Sequence, residues 1–201
     1  MQEGPIIPEE QPPSEPTYIV DELVDKVFAD FAESEVFTKL KEELIWHKKN
    51  LDVFFTGRLF EEIIRFKPDF WLGSEMGDRR FLSAEEVKEW YEKRNISRAQ
   101  FDGLLVQSTA DGERVVFFLE FSLSRLKSKW IAKHKAFLLA ANLEGVDPKA
   151  QLLVLMPSSE KRIVERTKNI STIIKIHQLP FTHRQFEQLR SRYNLSLPQN
   201  V

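Results

Sequence analysis

Two β-rich runs, Phe101 to Ser108 and Arg114 to Leu123, flank Asp111-Gly112, and no other feature narrows the folds open to this chain so far. β-Branched and aromatic residues on either side of an Asp-Gly pair mark a β-hairpin. Within the second run, Val115-Val116-Phe117-Phe118-Leu119-Glu120-Phe121 is apolar at nearly every position, so both faces of that strand must be covered. A strand covered on both faces requires further strands beside it and helices over it.

Each strand carries an acid near the open end of the hairpin, Asp102 on the first and Glu120 on the second. Register decides whether they meet, because a slip of one residue moves a side chain to the other face. A two-residue Asp-Gly turn pairs Asp102 with Phe121. A three-residue loop, Ala110-Asp111-Gly112 with glycine in the left-handed conformation, pairs Asp102 with Glu120, and this is the expected arrangement. An ionised carboxylate buried without a partner costs several kcal/mol, so Glu120 calls for compensation. Two acids converging on a hard divalent cation would supply it, since Mg²⁺ keeps several waters and asks for only one or two carboxylates. A nearby lysine, or a strand end emerging into solvent, would serve as well.

Around the hairpin the pattern is helical. Apolar positions from Asp21 to about Lys49 follow helical spacing, giving one long helix or two shorter ones. Residues 57–66 form a short helix with Leu59, Phe60, Ile63 and Ile64 inward, and residues 68–77 read as an aromatic-anchored loop. Ser83 caps a helix to about Arg94. A helix from about Ser128 to Asn142 follows the hairpin, then a strand at Gln151–Met156, a basic helix over 158–169, a strand at Thr172–Gln178 and a last helix from Thr182 to Tyr193. A strand, a helix of about 14 residues and a second strand imply a parallel crossover. The order suits an α/β fold with a mixed central sheet flanked by helices.

Five of the ten prolines and four acids fall in residues 1–17, a composition expected to stay disordered, leaving residues 18–201 as one domain. Without cysteine there is no disulfide framework and no cysteine-bound metal, and with neither a basic, apolar leader nor an apolar run of about 18 residues a cytoplasmic protein with no membrane partner is expected. No glycine-rich phosphate loop and no Gly-x-Ser-x-Gly elbow is present, which argues against NTPase, kinase and serine-hydrolase chemistry.

The net charge of −2 conceals a strong division. Up to Leu123 there are 15 Lys and Arg against 26 Asp and Glu, and from Ser124 onward 14 against 5. Arg125, Lys127, Lys129, Lys133 and Lys135 follow the hairpin with no acid between Ser124 and Leu143. Cations beside an acidic cleft are what a phosphodiester substrate needs, because phosphate contacts supply most of the affinity for DNA. A solvated lysine face is the alternative.

Phe101-Asp102-Gly103, then Glu120-Phe121-Ser122, then a helix, resembles the PD-(D/E)XK nuclease superfamily over roughly residues 57–180. The resemblance implies a restriction-endonuclease-like fold and a DNA-processing function, with Asp102, Glu120 and the Phe121 carbonyl binding Mg²⁺ or Mn²⁺. A helix before the first catalytic strand often adds an acid in this superfamily. Glu61 and Glu62 flank the apolar stripe of residues 57–66, and Glu62 is the better candidate because Phe66 draws the stripe toward it. Ser122 replaces the motif lysine, a role that Lys127, Lys129 or Lys133 would then take, with Lys129 and Lys133 the catalytic candidates. The nearest likeness within the superfamily is to plasmid-mobilisation relaxases of the MobC type, which implies nicking of DNA and contact with other mobilisation proteins. Loss of cleavage through Ser122 would leave a DNA-binding accessory protein, and an interaction protein without a nucleic-acid role is the third reading.

Overall fold

The structure, a computed structural model, describes residues 20–45, 51–96, 101–123, 127–158 and 174–196, with the side chains of 44–45, 51–53 and 127–132 outside the description. The expected tail over 1–17, Arg125 and the expected helix over 158–169 (from residue 159 on) lie outside the described residues.

Helices α1 (Glu22–Ala32), α2 (Glu35–Ile45), α3 (Leu51–Phe66) and α4 (Pro68–Leu72) come first, then β1 (Arg80–Phe81) and α5 (Ala84–Glu92). The hairpin β2 (Gly103–Thr109) and β3 (Gly112–Phe121) follows, then α6 (Lys127–Ala140), β4 (Val146–Ser158), β5 (Ile174–Thr182) and α7 (His183–Arg192). The five strands form one mixed sheet in the order β1-β2-β3-β4-β5, in which β1, β2 and β3 pair antiparallel and β3, β4 and β5 pair parallel.

Both faces are covered, as the apolar β3 run requires. Leu105, Phe117, Leu119, Phe121, Leu153 and Leu155 pack against α1, α2, α3, α4 and α7. Leu104, Val106, Val115, Phe118, Leu152 and Val154 face α5 and α6. The helix ends are specified locally: Asp21 accepts from the Leu23 N–H, and capping boxes Ser83/Glu86 and Thr182/Gln185 open α5 and α7.

Three local expectations need correction. Residues 68–72 are a helix rather than a loop, with Pro68 in the first turn, where its missing N–H costs nothing, and with Trp71 and Leu72 buried. β5 runs on to Thr182 through Pro180, which a strand at the edge of a sheet tolerates, and Leu179 and Phe181 alternate into the core on either side of it. The hairpin turn is the third. Thr109 pairs with Gly112, so the loop is the two residues Ala110-Asp111, and Gly112 lies just after it with φ 113°. The extra residue sits instead in a bulge at Val116, between the pairs Val106–Val115 and Leu105–Phe117. Turn and bulge together bring Gly103 opposite Leu119, the same pairing at the open end that a three-residue loop would have produced.

Candidate active site at the open end of the hairpin

Beyond the Gly103–Leu119 pair the chain leaves ladder geometry. The Asp102 N–H donates to the Leu119 carbonyl at 2.9 Å, and the Phe121 N–H donates to Asp102 Oδ2 at 2.8 Å. A side-chain carboxylate thus takes the place of the next backbone acceptor and closes the end of the strand pair. Asp102 is thereby fixed beside Phe121, one residue along the chain from Glu120. N–H and C=O of a strand residue point to the same side, so the Phe121 carbonyl is directed toward Asp102 as well. Glycine at 103 has a packing reason: a Cβ there would lie 3.0 Å from Phe81 Cε2 and 3.2 Å from Leu119 Cδ1.

Glu120 alternates with Phe118 and so faces α6, where its side chain is 0% exposed. Its partner comes from that helix: Lys133 Nζ is 2.6 Å from Glu120 Oε2 and lies 5.6 Å from the centre of the Phe101 ring. The lysine that meets this buried acid thus comes from the helix that follows the hairpin. Ser122 itself is 1% exposed, its N–H bonded to the Leu155 carbonyl at 2.9 Å. Lys135 is exposed on α6, and Lys127 and Lys129 belong to α6 by backbone, their side chains outside the description.

Helix α3 closes the other side. Glu62 Oε1 is bound by Arg58 at 3.2 Å and by Arg65 at 2.8 Å, and Arg65 Nη2 reaches across to donate to the Asp102 carbonyl at 2.8 Å. Glu61, one position before the expected helix acid, is the carboxylate that senses Asp102. Burial first, and the negative charge of Asp102 second, push its carboxyl above the usual range, against the pull of Arg65 and Arg58. Helical periodicity favoured Glu62 because it locates only the side of α3 that meets the main core. It carries no information that the bend at 101–102 approaches the side bearing Glu61 and Arg65. An NMR titration in which Asp102→Asn lowers the Glu61 midpoint is expected; a midpoint that does not move would mean that the two carboxylates are not neighbours.

Comparison with protein-family models gives no match, and comparison with curated proteins gives none either. Among solved structures the chain is similar to one described as the pre-specific restriction endonuclease BsaWI in complex with DNA, with a TM-score of 0.43, 12% identity, and coverage of 87% of this chain and 67% of that one. At that score the likeness says nothing about activity, so function has to come from the side chains.

The donor set at the hairpin end is carboxylate and carbonyl oxygen, with an ammonium and two guanidinium groups around it. That chemistry fits a hard divalent cation better than a soft one. Among the described residues no group of three or more His, Cys, Asp or Glu side chains is placed to hold a metal ion, so any cation would rely on one or two carboxylates, as Mg²⁺ ordinarily does. Among the described residues no helix is long and apolar enough to cross a membrane.

Proposed function

We propose that this chain is a DNA-processing protein with a PD-(D/E)XK nuclease-like site that nicks DNA in a reaction dependent on Mg²⁺ or Mn²⁺. One arrangement carries the reading: a buried acid on the second hairpin strand, Glu120, is paired at 2.6 Å with a lysine from the following helix, and the next residue, Phe121, holds the carboxylate of a second acid, Asp102, on its N–H at 2.8 Å. Acid, acid and lysine are the three elements of the superfamily's motif, and here the lysine comes from Lys133 while Ser122 stands in its usual place.

Asp102 and Glu120 would hold the cation, with the Phe121 carbonyl beside them. When bound, the cation would supply Lewis acidity toward the scissile phosphate and acidity to water. The residues provide the rest. The Phe121 N–H orients the Asp102 carboxylate, Lys133 offsets the Glu120 charge and presents donors toward a phosphate oxygen, and Arg65 holds the main chain at Asp102. Lys129 and Lys135, with Arg125 and Lys127, would bind the backbone of the DNA. The narrower reading, a plasmid-mobilisation relaxase of the MobC type working with other mobilisation proteins, rests on the resemblance of the motifs alone.

Supercoiled plasmid incubated with the protein should become open-circular with Mg²⁺ or Mn²⁺ and stay supercoiled with EDTA. A second reading, an accessory protein that binds DNA without cutting it, draws on the burial of Ser122 at the motif lysine's position. It takes over if no DNA is nicked with either metal while binding persists. Under both readings Lys129→Ala with Lys135→Ala should weaken DNA binding and lower the slope of log K against log salt by roughly 0.9 for each phosphate no longer neutralised. Fluorescence anisotropy across a salt series measures this; an unchanged slope would mark these lysines as a solvated face. Lys133 is left out of that pair because its Nζ is engaged by Glu120.

A further inference from the structure

Three bonds fix the conformation of Asp102, and one of them comes from far away in the sequence. Its N–H is held by the Leu119 carbonyl, its carboxylate by the Phe121 N–H, and its own carbonyl by Arg65 Nη2 from α3 at 2.8 Å. The first restrains φ, the second the side-chain torsions, and the third ψ. The third acts on the peptide that joins Asp102 to Gly103, where β2 begins. Arg65 is itself held. Its Nη1 lies 2.8 Å from Glu62 Oε1 and 3.5 Å from Glu61 Oε2, its side chain is 17% exposed, and its guanidinium carbon sits 5.5 Å from the centre of the Phe121 ring. A single planar group therefore meets both members of the Asp102–Phe121 link. A guanidinium suits this task because its fork serves a carboxylate with one arm and a carbonyl with the other, which the single ammonium of lysine cannot do in the same geometry.

We propose that Arg65 is a positioning residue of this site, a clamp from α3 on the Asp102 carbonyl that keeps the Asp102 carboxylate on the Phe121 N–H. As a role in metal-dependent cleavage it rests on the function proposed above, whereas the clamp itself does not. Glu62, on this view, serves the site by orienting Arg65.

The test reads the Phe121 amide directly, by hydrogen exchange in the isotope-labelled full-length chain, with the Leu153 amide of the sheet interior as the reference for global opening. Arg65→Met should speed exchange at Phe121 at least tenfold relative to Leu153, Asp102→Ala, which removes the acceptor, should do the same, and Arg65→Lys should recover part of the protection. Glu62→Gln, which leaves the clamp in place but loosens its anchor, should give an intermediate value and serves if Arg65→Met does not fold. Mn²⁺ affinity should fall about tenfold in Arg65→Met, within the range expected for losing an outer-shell partner. If the ratio of Phe121 to Leu153 exchange is the same in Arg65→Met, or in Glu62→Gln where that variant stands in, as in wild type, the clamp is overturned. If wild type binds no Mn²⁺ while the exchange ratio responds as described, the clamp stands and the metal-dependent function fails.

Discussion

Glu120→Gln should reduce metal-dependent nicking by at least about a hundredfold, the upper end of what losing even an outer-shell partner costs a metal site. The amide keeps the shape of the side chain and still offers an oxygen to Lys133, so the fold should survive. What disappears is the negative charge that a hard cation requires of its ligand. DNA affinity should remain near that of wild type, because phosphate binding is assigned to cations on α6 and not to this acid. Nicking by Glu120→Gln at the wild-type rate would remove Glu120 from the site.

Lys133→Met should produce the largest loss of stability, about 3 kcal/mol by denaturant titration, the low end of what breaking a buried ion pair costs. The carboxylate it abandons is 0% exposed, which drives the cost up, and Lys133 is 22% exposed, which lets water follow and holds the cost down. Replacing both partners by apolar side chains, in Glu120→Met with Lys133→Met, should recover most of the loss, because exchanging a buried pair for apolar groups of similar volume is often close to neutral whereas deleting one partner is not. Equal stability for Lys133→Met and wild type would mean that the 2.6 Å pairing contributes nothing in solution.

The hairpin, its covered faces and the α/β order of elements were legible because they depend on runs of residues. The apolar stretch Val115–Phe121 could only be a central strand, and Ser83 and Thr182 announced their helices by capping chemistry that acts over three residues. The Gly103–Leu119 register at the open end arises by a different route from the one expected, and Asp102 leaves the ladder there to sit on the Phe121 N–H. Turn chemistry at Asp111-Gly112 suggested where an extra residue would go, but the bulge formed at Val116, where Val115 packs on the α6 side while Val116 and Phe117 both pack on the α3 side. No local signal marks such a site, since it follows from how two faces of one strand meet different helices.

The same limit applies to the acids. That Glu120 needed a partner was readable from the apolar run around it, and Lys133 was among the lysines in reach, but which lysine arrives depends on how α6 docks. Glu61 and Arg65 were hidden for a similar reason. Their part in the site comes from the bend at Asp102, 37 residues beyond Arg65, crossing the side of α3 turned away from the apolar stripe.

Whether Asp102 and Glu120 together bind one divalent cation is read directly, and without a DNA substrate, by titrating Mn²⁺ into the protein and following it by electron paramagnetic resonance. The wild-type chain should take up one Mn²⁺, Asp102→Asn and Glu120→Gln should each lose it, and Glu43→Gln on α2 should keep it. A wild-type chain that binds no Mn²⁺, or variants that bind it as well as wild type, would contradict the claim that the two acids share a cation.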